Sequence, residues 1–299
     1  MSKYFYTLIF LSATLLACGD GNNLVNPTDW PEPEGGTTDK PAIEKYVIGD
    51  PLESSDLMNL VWSDEFNTDG MVNLADWTYE KGFVRNQEIQ YYTEARGENC
   101  RIQGGYLVIT GRKESTSFGT AEFSDGTVTS ASIITSKKHS WQYGRFEVRA
   151  KVPAGKGPWP AFWAKGDSQN SGVAWPACGE IDIMEYAAKD PAMIQNAIFG
   201  ESSSSYTQKV KKIYTDYSTD FHTYSLDWNQ NRLVFAIDNV VTHVVDISKI
   251  SPNPFRQKFF ILLNLALGAS TDRTLGGKLD QSILPVEFKV DYVRIYQFK

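Results

Sequence analysis

Between Tyr106 and Tyr296 the chain is a succession of short β-prone runs cut by Gly, Asn, Asp and Pro, with little helical periodicity anywhere. Tyr106–Ile109, Ser132–Thr135, Gly144–Val152, Thr223–Trp228, Leu233–Ile237, Phe259–Leu265 and Phe288–Tyr296 read as strands. Pro153-Ala154-Gly155, Asn229-Gln230-Asn231, Asp238-Asn239 and Ser251-Pro252-Asn253-Pro254 punctuate them. Within Gly144–Val152, Phe146, Val148 and Ala150 alternate with Arg145, Glu147, Arg149 and Lys151, the mark of a sheet with one wet face. There is no internal repeat and no nucleotide-binding glycine loop. Many short strands in one long stretch predict an all-β domain, a β-sandwich of the jelly-roll kind.

One run breaks the apolar rule. Glu180-Ile181-Asp182-Ile183-Met184-Glu185 places three carboxylates in an otherwise apolar strand between Gly179 and Tyr186. An unpaired carboxylate out of water costs several kcal/mol, so three at this spacing point to a metal cage or to carboxylate chemistry. Side chains alternate with period two, which puts Glu180 and Asp182 on one face and Glu185 on the other. A β-bulge at Ile183–Met184 returns Glu185 to its partners' side, and bulges gather beside active sites. Glu180 and Glu185 are then roughly 13 Å apart at Cα, and side chains leaning together close that to about 5–6 Å. A retaining glycosidase needs about 5–5.5 Å between nucleophile and acid/base. For the metal alternative, no calcium-loop pattern surrounds the strand, and His139, His222 and His243 read as surface or satisfied structural histidines. The third alternative, a sheet face with coincidental acids, would oppose folding without a purpose.

The ends and the charge bound the setting. Lys3, the apolar stretch Leu8–Leu16 and Leu15-Leu16-Ala17-Cys18 read as an export signal over residues 1–17, cleaved before a lipidated Cys18. Ordinary secretion with cleavage nearby is the alternative. No other run is long and apolar enough for a transmembrane helix, so membrane attachment is expected through the lipid alone. The protein is then expected on the bacterial cell envelope, at the outer membrane or cell surface. Residues 18–51, with Pro27, Pro31, Pro33, Pro41 and Gly35-Gly36, read as a flexible linker. Residues 52–299, roughly 250 in number, suffice for one domain with a large core. Cys100 and Cys178 do not suggest a disulfide framework, and two buried free thiols are favoured. A net charge of −7 argues against a nucleic-acid partner and makes a strongly anionic polymer a less comfortable substrate.

Aromatics gather around the acids. Trp159-Pro160-Ala161-Phe162-Trp163 and Trp175-Pro176 precede the acidic strand, with Trp141 and Tyr143 a little earlier. Sugar rings stack their CH faces on indole and are hydrogen-bonded at the rim, so Trp159, Trp163 and Trp175 are candidate platforms; the alternative for any single tryptophan is the core. Asn86, Glu88 and Gln90 are expected to alternate on one strand face and to meet sugar hydroxyls.

Trp175-Pro176-Ala177-Cys178-Gly179-Glu180-Ile181-Asp182-Ile183-Met184-Glu185-Tyr186 resembles the active-site strand of family-sixteen glycoside hydrolases, in the laminarinase-like branch with its Glu-x-Asp-x-x-Glu spacing. The likeness runs from about Trp62 to Tyr296 and includes Trp62–Phe66, Asn86–Thr93, Tyr143–Glu147, Trp159–Trp163, Asp220–Tyr224 and Val290–Tyr296. It implies a concanavalin-like jelly roll with a concave substrate cleft and retaining endo-hydrolysis of β-1,3- or mixed-linkage β-1,3-1,4-glucan, with β-glucan as partner and a monomer as the working unit. It implies Glu180 as nucleophile, Glu185 as general acid/base, and Asp182 between them as the group that hydrogen-bonds the nucleophile and holds its charge state. No catalytic cofactor is implied. A structural calcium on the convex side is, with Glu65, Gly105 and Asp291 at the matching positions.

Two departures bear on the substrate. Lys81-Gly82-Phe83-Val84-Arg85 stands where many laminarinases carry a glycine/tryptophan-rich loop, and Ala197-Ile198-Phe199 where they carry Thr-x-His. The competing readings are an endo-hydrolase of a galactan (agar or carrageenan type) and a non-catalytic surface glycan-binding lipoprotein. The laminarinase-type spacing and the lack of a basic cluster for sulfate weigh against the first; retention of both Glu180 and Glu185 weighs against the second. Transglycosylation differs only in whether water or a sugar hydroxyl reaches the glycosyl-enzyme.

Overall fold

Two-residue alternation along apolar strands leaves each strand one face to bury, and here two sheets bury those faces against each other. The structure, a computed structural model, describes residues 42–188, 192–202, 205–272 and 274–299. The expected signal sequence and Cys18 lie outside these residues. One sheet has seven strands: β1 (Thr78–Tyr79), β2 (Ser132–Ile134), β3 (Trp159–Gly166), β4 (Glu180–Ala187), β5 (Met193–Ser202), β6 (Ser205–Ile213) and β7 (Phe259–Ala266). They lie in the order β6-β5-β4-β3-β7-β2-β1, so the acidic strand is inside the sheet with β3 and β5 as its neighbours. The second sheet has ten strands and runs from Val240–Asp246 through Arg232–Ile237, His222–Trp228, Gly144–Lys151 and Val286–Phe298 to Leu107–Lys113. The sandwich expected from the sequence is present, and neither sheet closes on itself.

The shared core draws Phe162, Ala164, Ile181, Ile183, Phe259 and Leu263 from the first sheet and Phe146, Val148, Leu226, Phe235, Val290 and Ile295 from the second. The other face of the seven-stranded sheet carries a smaller apolar floor of Ala161, Trp163, Phe260 and Leu262. Cys100 and Cys178 are free and buried.

Two expectations change. The polar face of Gly144–Lys151 is not uniformly wet: Arg145 is buried and reaches both oxygens of buried Asp227 at 2.6 and 2.8 Å and the Glu53 carbonyl at 2.9 Å. Asp227 is its register partner on the neighbouring strand, so the charge is neutralised by a residue far away in sequence. The cover over that face comes from residues 42–51, which were placed in the linker. Ile43, Tyr46 and Leu52 bury themselves against Val234, Ala236 and Val241, and the Gly49 N–H donates to the Val241 carbonyl at 2.9 Å. Three apolar side chains in a polar stretch are enough to fold it onto an existing sheet, although they could form no core alone.

Candidate active site

Along β3 the two-residue period sends Trp159, Ala161, Trp163 and Lys165 to one face and Phe162 and Ala164 into the core; along β7 it sends Phe260, Leu262, Asn264 and Ala266 outward over Ile261, Leu263 and Leu265. The acidic strand β4 must break that rhythm to join them, and it does. Asp182 pairs with Trp163 and Met184 with Phe162 on β3, so β4 spends one extra residue between them; against β5, Asp182 pairs with Ala197 and Glu185 with Gln195, with the same surplus. Ile183 and Met184 are both buried in the core, and Glu180, Asp182 and Glu185 all line one pocket on the opposite face. The bulge expected at Ile183–Met184 is therefore present.

The bulge has its own tie. Buried Asn196 on β5 donates its side-chain amide to the Ile183 carbonyl at 2.5 Å, satisfying an acceptor that the broken ladder exposes. Asn196→Leu keeps the volume and removes that donor. It is expected to lower kcat about 10- to 100-fold with little change in KM, because a small displacement of Glu185 spoils the attack geometry. Wild-type kcat in this variant would show that the bulge holds without Asn196.

The pocket, about 250 Å³, is lined by Arg85, Asn86 and Glu88 from the loop after β1, by the outward residues of β3 and β7, by Trp175, and by the three acids. Glu185 is hydrogen-bonded on both oxygens: Trp159 Nε1 donates to Oε1 at 3.1 Å and Gln195 donates to Oε2 at 2.8 Å, while Trp175 and Glu180 line the same pocket. Charge then separates the acids. Burial first, then the charge of Glu180, raises Glu185 to about 7 against the pull of its hydrogen bonds from Gln195 and Trp159. Burial also raises Glu180, but Lys165, its register partner on β3, and Arg85 pull it back. Asp182 is driven well above the ordinary carboxylate range by burial and by Glu185 and Glu180 on either side. Such an arrangement can hold one carboxylate charged, one protonated for donation, and a third neutral between them.

Asn86, Glu88, Trp159, Trp163 and Trp175 all reach the pocket, but three expectations about how they do so change. Residues 86–90 are a turn, not a strand: Asn86 and Gln87 sit at φ 55° and 53°, outside extended backbone, and Ile89 N–H donates to the Gly268 carbonyl. Gln90 does not line the pocket. It is buried, donates to Glu88 at 2.7 Å and accepts from Leu267 N–H at 2.9 Å, so it braces Glu88. Trp163 offers no free stacking face: it is 6% exposed, with the Arg85 guanidinium 4.9 Å and the Lys165 ammonium 5.6 Å from its ring. Its Nε1 donates to Asn264 at 2.7 Å, and Asn264 in turn donates to the Tyr92 hydroxyl at 3.1 Å. Trp175, 48% exposed, is the open platform.

Three residues of the site go unnamed in the sequence reading. Lys165 continues the Trp159, Ala161, Trp163 alternation and is legible from it. Asn264 is the one amide in Phe259–Ala266, a signal of the same kind as the acids. Gln195 carries no signal without knowledge of the register, and Arg85 appears in the sequence only as the end of the Lys81–Arg85 departure, with no role attached.

The two carboxylates implied for the calcium site, which backbone carbonyls would complete, already have arginine partners. Both oxygens of Glu65 are taken by Arg294 at 2.9 and 2.7 Å, and Asp291 is held by Arg149 at 2.5 Å. Calcium requires six to eight oxygen ligands, and these two carboxylates already have cationic partners. Gly105 sits at φ 79° in the turn before Leu107–Lys113, a position that glycine's freedom explains without a metal. No group of three or more His, Cys, Asp and Glu side chains that could hold a metal occurs among the described residues.

The sequence model of the glycosyl hydrolases family 16 matches residues 87–293. A β-glucanase of Rhodothermus marinus is 36% identical over 252 residues, covering 80% of this chain and 85% of that protein. A glucan endo-1,3-β-glucosidase of Cryptopygus antarcticus is 37% identical over 226 residues, covering 71% and 81%. Among solved structures, SCLam, a non-specific endo-β-1,3(4)-glucanase, superposes with a TM-score of 0.73 at 36% identity, covering 84% of this chain and 96% of its own. A variant of SCLam has been solved with 1,3-β-D-cellobiosyl-glucose at its active site.

Proposed function

This chain belongs to the family 16 glycosyl hydrolases, and on that premise we propose that it cuts β-1,3- and mixed-linkage β-1,3-1,4-glucan internally, with retention of anomeric configuration. The observation that carries the reading is the bulged strand β4, which turns Glu180, Asp182 and Glu185 into one pocket and leaves them with unlike affinities for protons. The similarity to an endo-β-1,3(4)-glucanase supports the choice of polymer.

Glu180 is the nucleophile. Lys165 and Arg85 favour its charged form against the effect of burial, and a carboxylate lone pair attacks the anomeric carbon. Glu185, protonated, gives its proton to the departing glycosidic oxygen; as carboxylate it then takes a proton from the water that releases the sugar. Asp182, kept protonated by burial and by both neighbours, has an O–H to donate toward charged Glu180. The reaction needs no group that these side chains lack.

The test is cleavage. Laminarin and barley β-glucan are expected to yield short oligosaccharides, whereas agarose and carrageenan remain intact. Cleavage of agarose or carrageenan alone would transfer the enzyme to the galactanases, and glucan binding without cleavage would make it a lectin. The same reading places a monomeric enzyme on the cell envelope through diacylglycerol on Cys18. Its support is Lys3 and the apolar stretch Leu8–Leu16 running into Ala17-Cys18.

A further inference from the structure

We propose that Arg85 is a specificity-determining residue, whose guanidinium donates to a hydroxyl of the glucosyl unit seated over the 85–88 loop. The proposal rests on the glucanase reading of the site and concerns how that site recognises its sugar. Arg85 lines the same pocket as the three acids, and its side chain is 19% exposed. Its position is fixed on both sides. Nη2 is ion-paired with Glu80, which is itself held by the Ser132 hydroxyl at 2.6 Å, and the guanidinium plane rests over the Trp163 ring. The turn at Asn86-Gln87 keeps the loop folded back over the sheet.

A guanidinium carries five N–H donors and Glu80 is its hydrogen-bond acceptor among the described residues, which leaves donors over on a side chain that lines the pocket and is 19% exposed; Nη1 itself is shielded and is not the one a ligand meets. The carboxylate closest in the loop does not supply another. Glu88 already accepts from Asn86 at 3.1 Å, Gln90 at 2.7 Å and Tyr92 at 3.4 Å, and it makes no hydrogen bond to Arg85. A pre-positioned donor without an acceptor, on the wall of a pocket, is built for an oxygen that arrives with the ligand. Trp163 lies beneath Arg85, so recognition at this point is polar and not by stacking. On the glucan reading the arriving oxygen is the neutral hydroxyl of a sugar. A site that hydrogen-bonds a hydroxyl discriminates strongly against sugars that place none there, which gives Arg85 its role in selection.

The test uses the full-length protein with Glu180→Gln, so that binding is read without turnover. Calorimetry with laminaritetraose is expected to show Kd about 30-fold weaker when Arg85→Met is added and about 10-fold weaker with Arg85→Lys, which keeps the charge beside Glu80 but loses the planar fork. In otherwise wild-type enzyme Arg85→Lys, which keeps the charge that favours ionised Glu180, should show the loss mainly in KM, with a melting temperature within a few degrees of the parent. Should the Met variant fail to fold, the Lys variant carries the measurement. Kd within twofold of the parent overturns the proposal, as does a loss confined to kcat. If the unmodified enzyme cleaves laminarin and Kd is unchanged, only the role of Arg85 falls. If it cleaves no glucan, the assignment of substrate falls and this proposal with it.

Discussion

Glu180→Gln is expected to lower kcat on β-glucan by roughly 10⁴-fold or more while oligosaccharide affinity stays within a few-fold of wild type. Glutamine preserves the size of the side chain, but it has no anionic lone pair to form the glycosyl ester. The loss therefore falls on chemistry and not on binding. The companion variant Glu180→Ala separates a nucleophile from an acid. With an aryl glucoside that needs no protonation, added azide should enter the vacated space and attack the anomeric carbon once, giving an α-glucosyl azide. Inverted product from this variant beside retained product from the wild type would identify Glu180 as the first attacking group. Turnover of Glu180→Gln near the wild-type rate would remove the nucleophile assignment.

The parts of this site that the sequence made legible are those governed by short-range periodicity. Glu-x-Asp-x-x-Glu can present three acids on one face only if a residue is spent between Asp182 and Glu185, so the bulge follows from burial cost alone. The same period along Trp159–Lys165 defines the neighbouring wall of the pocket. The misreadings all involve partners distant in sequence. Asn86, Glu88 and Gln90 alternate as a strand would, yet left-handed backbone at Asn86 and Gln87 turns the chain, and Gln90 is claimed by Leu267 on the far side of the sheet. Trp163 has the composition of a sugar platform, but Arg85 and Lys165 occupy its ring. Arg145 follows the solvent-facing alternation and is buried because Asp227 lies opposite and residues 42–51 cover the sheet. In each case the local pattern was read correctly, and a contact set by topology decided what the side chain does.

Activity on polymer is expected to fall as pH rises through about 7, because Glu185 must carry a proton to expel the sugar hydroxyl and burial with the Glu180 charge holds its pKa there. Above that value kcat/KM should drop about tenfold per pH unit, and the basic limb of the profile in the free enzyme reports this group. The acid limb belongs to Glu180, which must lose its proton to attack; burial raises its affinity for that proton, and Lys165 and Arg85 oppose the rise. The signs allow the two limbs to be moved separately. Gln195 donates to Glu185 and stabilises its charged form, so Gln195→Leu should raise the basic limb, extending activity to higher pH. Glu185→Gln should cost about 10²- to 10⁴-fold on polymer, recover with a dinitrophenyl leaving group that departs unprotonated, and lose the basic limb altogether. A basic limb that persists unchanged in Glu185→Gln would mean that another group delivers the proton. Asp182 is then the candidate, since it is the other acid of β4 held strongly in its protonated form.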